Sequence, residues 1–126
     1  MADARGGTTL AAAEDLADRM PLPTTVHGAV GAVPETIADT AYFVVAEALA
    51  NVLKHAEAST VTVVLESDDS RLLVSVTDDG RGGATTPAGG GLRGLTDRVA
   101  AAGGTLQLTS SAEKGTQLCV NLPCAW

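Results

Sequence analysis

The sequence predicts an α/β (α+β) two-layer sandwich, with about three helices on one face of a mixed, mostly antiparallel sheet of about five strands. Three observations predict it. Apolar residues recur at helical spacing in residues 9–20, 35–56 and 92–102. Segments of strand length and strand character occupy residues 24–30, 60–66, 71–77, 105–110 and 116–122. Their order is helix, strand, helix, strand, strand, helix, strand, strand, which layers the helices on one side of the sheet.

Residues 1–8 read as a loose leader, and residues 9–126 as a single domain. Residues 9–20 place Leu10, Ala13, Leu16, Ala17 and Met20 on one side of an alanine-rich helix, which Pro21 and Pro23 end. The strand over 24–30 turns Val26 inward, with Gly28 or Val30 beside it. His27 in that strand reads as an ordinary surface or packed residue. Gly31-Ala32-Val33-Pro34 makes the next turn, and Pro34 before Glu35 suits a helix start.

The helix over 35–56 is the centre of the chain. At about 100° per residue and with Glu47 at zero, Tyr42, Val45, Ala46, Leu49, Val52, Leu53 and Ala56 fall between roughly 140° and 260°. That is one broad apolar face. Glu47, Asn51, Lys54 and His55 form a stripe on the other side, at roughly 0°, 40°, −20° and 80°. Any amphipathic helix has a polar face, but Phe43, Val44 and Ala50 share this side and make it a partly covered cleft wall. Glu47 and Asn51, four apart, can address one ligand. An amide oxygen suits Mg²⁺, which is held by few protein groups together with water and phosphate, and a nearby lysine can meet phosphates as a point charge. The stripe proposes a metal-phosphate site.

The next two strands present Val61, Val63 and Leu65, then Leu72, Val74 and Val76, across a Ser67–Ser70 turn. The second runs into Asp78-Asp79-Gly80-Arg81-Gly82-Gly83. A carboxylate at a strand end can accept a hydrogen bond from an exocyclic amino group such as that of adenine, and glycines beside it leave room for a flat ring. An Asp-Gly turn alone is common. After Ala84-Thr85-Thr86-Pro87-Ala88, Gly89-Gly90-Gly91-Leu92-Arg93-Gly94 opens the third helix, so backbone N–H groups face the loop as an anion site. No Gly-Lys-Ser/Thr ending follows, and a P-loop or dinucleotide fingerprint has little support. Leu92, Leu95, Val99 and Ala102 give this helix its core face, Gly103-Gly104 end it, and the last two strands turn Leu106, Leu108, Leu118, Val120 and Leu122 inward.

Composition narrows the function classes. With 126 residues and 45% hydrophobic content the chain can bury one core, yet only Tyr42, Phe43 and Trp126 are aromatic, so Val, Leu and Ala build it. A formal charge of −7 argues against nucleic acid or an anionic membrane as the main partner. Cys119 and Cys124 have no companion ligands and read as reduced thiols. No run of about 18 apolar residues and no secretory leader stand out, and a cytoplasmic location is expected.

Glu47 to Ala56, Asp78-Asp79-Gly80-Arg81-Gly82, Gly89 to Gly94 and Gly115-Thr116 resemble, in the right order, the N box, G1 box, G2 box and final Gly-Thr of the ATP-binding catalytic domain of sensor histidine kinases. Asn51-x-x-Lys54-His55-Ala56, the short lid and Leu95-x-x-Arg98 after the glycine loop resemble in particular the subfamily paired with NarL-type response regulators. The resemblance covers about residues 24–123. It implies the Bergerat fold of gyrase, the Hsp90 chaperones and MutL, with ATP and Mg²⁺ as cofactors. By that analogy Asp78 takes the adenine amino group, Gly80 and Gly82 shape the floor, Asn51 holds Mg²⁺ and Glu47 is the catalytic base or water-orienting group. Lys54 and His55 lie by the phosphates, Gly89, Gly91 and the N–H groups of Leu92, Arg93 and Gly94 cradle phosphate, and Thr116 supports Asp78.

The same resemblance implies a phospho-acceptor histidine on a dimerisation domain, which neither His27 nor His55 provides. The partners implied are that domain of the same kinase and, indirectly, a NarL-type response regulator; this piece is expected to be a monomer without membrane contact, the cytoplasmic part of a sensor. A stand-alone anti-sigma-factor-type serine kinase and a catalytically silent nucleotide-binding module are the alternatives. Gly83 replaces the bulky apolar residue many relatives carry after the G1 box, and the lid over 81–90 is short.

Overall fold

The computed structural model describes residues 5–56, 58–80, 90–111 and 115–124. Its elements are α1 (Arg5–Asp18), β1 (Thr24–Ala29), α2 (Glu35–Asn51), a π-helical turn (Val52–Ala56), β2 (Val61–Ser67), β3 (Arg71–Asp78), α3 (Gly90–Ala101), β4 (Thr105–Ser111) and β5 (Gly115–Pro123). The expected two-layer architecture is present. The strands form one sheet in the order β1-β2-β3-β5-β4. Among the described residues only β1 and β2 pair in parallel, joined by α2 as the crossover, and the other pairs are antiparallel.

The first helix begins at Arg5, ahead of the expected start, and ends at Asp18 rather than Met20. Met20 precedes Pro21, whose ring disfavours helical backbone in the residue before it. Ala13 and Ala17 are buried, with Leu10, Leu16 and Met20 packed against the core as their spacing predicts.

The apolar face of α2 differs from the one expected. Ile37, Ala38, Thr40, Ala41, Val44, Val45, Ala48 and Leu49 are buried, which on the same wheel span roughly 20° to 200°. Tyr42 and Leu53 are instead exposed, at 46% and 52%. A helix that is apolar nearly all round does not reveal by hydropathy which side meets the sheet. Here small residues, Ala38, Ala41 and Ala48, occupy the contact side. Buried Thr40 is satisfied by donating to the Thr36 carbonyl at 3.0 Å. By length and a mean hydropathy of 1.3, Glu35–Lys54 is long and apolar enough to cross a membrane, although Glu35, Asp39, Glu47 and Asn51 interrupt it and it is not the unbroken apolar run the sequence reading looked for. Half of it is buried inside this fold, as a core helix is.

Beneath α2 the sheet contributes Val61, Val63, Leu65, Leu72, Val74, Leu118, Val120 and Leu122. One strand residue is decided by its neighbour. Gly28 of β1 does not point inward; at φ 127° it lies so close to β2 that a Cβ would stand 1.8 Å from the Leu65 carbonyl oxygen. The β2–β3 turn is held by Asp68, whose carboxylate accepts from the N–H groups of Ser70 at 2.8 Å and Arg71 at 3.0 Å.

Candidate functional site

The site grows from the end of β3. Strand alternation turns Leu72, Val74 and Val76 inward, and the same alternation turns Asp78 inward, where it is 5% exposed. A carboxylate so placed requires donors. One is the Gly80 N–H, which donates to Oδ1 at 2.8 Å and fixes the side chain across the turn. Asp78 stands in register with Val61 on one side and Thr116 on the other. The strand partner expected to support it is thus its direct cross-strand neighbour.

The next residue does different work. Asp79 is exposed, and its Oδ1 accepts from the N–H groups of Ser59 at 2.8 Å and Thr60 at 2.9 Å. Those bonds, with Thr60 first, hold its carboxyl below the usual carboxylate range. They also tie the end of β3 to the link leaving the central helix. The Asp78 turn therefore lies against the segment that leads into β2.

At the carboxy-terminal end of α2 stands Asn51. Its Nδ2 is buried and is the one such side-chain polar atom among the described residues without a hydrogen-bond partner. A half-turn of χ2 exchanges the amide nitrogen and oxygen, so the same position can present either a donor or a metal-binding oxygen. An orphaned buried amide costs about 1–3 kcal/mol, and a ligand that pairs it recovers that cost. The donor set fits Mg²⁺ in kind: one neutral oxygen, with the remaining positions left to water and phosphate. Among the described residues no cluster of His, Cys, Asp and Glu forms a self-contained metal cage.

Glu47, one turn before Asn51, is half-buried, and Lys54 is exposed. Glu47 lies at the margin of the buried face rather than opposite it. After Asn51 the helix is wound as a π turn, which advances each residue by less than the α-helical angle, so the sequence wheel does not apply to Lys54 and His55. The side chain of His55 lies outside the described residues. So do Gly82 and Gly89, and the side chains of Leu92 and Arg93. Gly91, Leu92 and Arg93 do fall in the first turn of α3, as the glycine-loop reading expects, and Gly94 follows on an open surface where a Cβ would meet nothing within 4 Å.

Two contributors lie in motifs of the sequence reading that gave them no role. One is Asp79. The other is Gly115, at φ 85°, whose Cβ position lies 2.1 Å from the Asp78 carbonyl oxygen. The signal for Gly115 was present in the Gly-Thr pair; that for Asp79 was its place directly after a buried strand end.

The family model described as histidine kinase-, DNA gyrase B-, and HSP90-like ATPase matches residues 36–125, from the start of α2 through the last strand. The chain belongs to this family. The ATPase domain is similar to the sensor histidine kinase YxjM of Bacillus subtilis, at 36% identity over 90 residues, covering 71% of this chain and 22% of that protein. It is also similar to UhpB of Salmonella typhimurium, a signal transduction histidine-protein kinase/phosphatase, at 43% identity over 86 residues, covering 67% and 17%. The chain thus spans a small part of either relative. Among solved structures, the blue-light activated histidine kinase of Erythrobacter litoralis EL346 matches with a TM-score of 0.71 and 27% identity, over 94% of this chain and 40% of that one. The histidine kinase AdeS of Acinetobacter baumannii shares the fold, with a TM-score of 0.71 at 18% identity over 95% of this chain and 63% of that one. The domain is a histidine-kinase-type, ATP-binding catalytic domain.

Proposed function

We propose that this domain binds Mg-ATP between α2 and residues 81–94 and transfers the γ-phosphoryl group to a histidine on a separate dimerisation domain of the same kinase. The observation that supports this most directly is that an otherwise apolar helix–sheet layer buries the carboxylate of Asp78 and the unpartnered amide nitrogen of Asn51. Buried polar atoms are rarely left without partners, so an orphaned amide in a fold that also buries a carboxylate suggests a ligand.

Each residue then has a role. Asp78, its Oδ1 steadied by the Gly80 N–H, accepts from the adenine amino group, with Gly80 and Gly82 leaving room for the ring. Thr116 backs Asp78 from the neighbouring strand. Asn51 would hold Mg²⁺, which when bound supplies charge neutralisation on the phosphate oxygens. Lys54 and His55 lie by the phosphates, while Gly89, Gly91 and the N–H groups of Leu92, Arg93 and Gly94 cradle them at the start of α3. Glu47 takes or orients the proton of the attacking imidazole. Most of the rate then comes from positioning and electrostatics, as phosphoryl transfer requires. In the cell the domain then lies on the cytoplasmic side, upstream of a NarL-type response regulator.

Incubation with γ-labelled ATP, Mg²⁺ and the separately produced dimerisation domain of the same kinase tests the transfer step. The expected product is label on that domain that survives base and is lost in acid, absent with Glu47→Gln. Acid-stable label on a serine would contradict the histidine assignment.

A further inference from the structure

The guanidinium carbon of Arg98, on α3, stands 4.4 Å from the centre of the Phe43 ring, on α2, well within the range of a cation–π contact. Phe43, Glu47 and Asn51 are spaced by four residues and form one row along α2. The contact therefore joins the helix that carries Glu47 and Asn51 to the helix whose first turn carries Gly91 to Gly94. Leu95 and Val99 anchor α3 in the core, and at its far end Gly104 packs so tightly that a Cβ would meet the Asn121 carbonyl oxygen at 2.4 Å. Gly90, Gly91 and Gly94 in its first turn offer no side chain that could hold it. Roll of a helix about its axis is restrained by contacts to the side of its buried stripe. A lateral contact from Arg98 to Phe43 limits that roll and fixes where the first-turn N–H groups point.

We propose that Arg98 is a positioning residue, acting through the face of the Phe43 ring to hold the start of α3 at the right distance from Glu47 and Asn51. This rests on the reading that ATP phosphates lie between these two helices. A cation–π contact suits the task, since it leaves the guanidinium its charge and its N–H donors.

The test is Mg-ATP affinity by calorimetry, with melting temperature, for the parent chain, Asp78→Asn, Phe43→Leu, Phe43→Trp, Arg98→Met and the Phe43→Leu/Arg98→Met pair. Loss of one exposed cation–π contact corresponds to about a two- to fivefold weakening. Phe43→Leu and Arg98→Met should each show it, the pair should lose no more than either alone, and Phe43→Trp should retain parent affinity. A purely structural contact would lower the melting temperature and leave affinity unchanged, overturning the proposal. Weakening by Arg98→Met with none from Phe43→Leu would overturn it too, because Arg98 would then act without the ring. If the parent bound and Asp78→Asn did not, but all Phe43 and Arg98 variants matched the parent, the clasp alone would fall. If the parent bound no ATP, the ATP reading would fall and take the clasp with it.

Discussion

Gly115 reaches the backbone of Asp78 so closely that a single added carbon would stand 2.1 Å from the Asp78 carbonyl oxygen. Gly115 opens β5 at φ 85°, a conformation that side-chain-bearing residues avoid by about 1–2 kcal/mol. Its neighbour Thr116 pairs with Asp78 in the ladder. The glycine thus admits the strand that backs the carboxylate. Gly115→Ala should destabilise the fold by about 2–4 kcal/mol, from conformational strain plus the clash. Denaturant unfolding measures it, and a change within about 0.5 kcal/mol would show that the strand end relaxes freely.

Asp79 makes the acid stability of the domain depend in part on the turn that follows β3. Its carboxyl is held low by the Thr60 and Ser59 N–H groups. A carboxyl whose pKa is lower folded than unfolded adds stability above the unfolded value, about 3.9, and loses it as pH falls through the folded value. The parent should therefore lose stability as the pH falls from about 5 towards 3, and Asp79→Asn should be less stable at neutral pH and lose less on the same descent. Asp68, lowered chiefly by the Ser70 N–H, works in the same direction, so Asp68→Asn should flatten the profile further. Melting temperature against pH gives both curves, and parallel profiles for parent and variants would contradict the assignment.

Asn51 should show stability and function moving apart. Its buried Nδ2 is unpaired among the described residues, so Asn51→Leu removes an unsatisfied group. The variant should match the parent's stability or exceed it by about 1 kcal/mol, while Mg²⁺ no longer strengthens ATP binding. Thermal melts and titrations with and without Mg²⁺ separate the two effects. A strongly destabilised variant would mean that the amide serves the fold instead.

Much of the fold was legible because each element carries its own period. Leu72, Val74 and Val76 announced β3, Pro34 and Glu35 announced α2, and Leu95 and Val99 announced the core side of α3. The orientation of α2 was not legible: Tyr42 and Leu53 are larger than Ala41 and Ala48, yet the alanines meet the sheet. The π turn after Asn51 leaves no trace in residue type, so the angles assigned to Lys54 and His55 did not survive. The parallel pairing of β1 with β2 depends on where α2 deposits the chain, which only the tertiary fold decides. In the site, Asp78 stood out as a carboxylate at a strand end. Asp79 beside it looked equivalent, because backbone N–H partners 19 and 20 residues away carry no local signature.

Whether Asp78 reads adenine is tested most directly by a calorimetric titration of this chain with Mg-ATP beside Asp78→Asn. Asn keeps the shape but removes the charge and offers N–H where adenine also donates. Micromolar binding is expected of the parent, with a loss of more than about tenfold, roughly 1.4 kcal/mol, in the variant. Equal affinity in a folded Asp78→Asn variant would contradict the adenine assignment on which the other site roles depend.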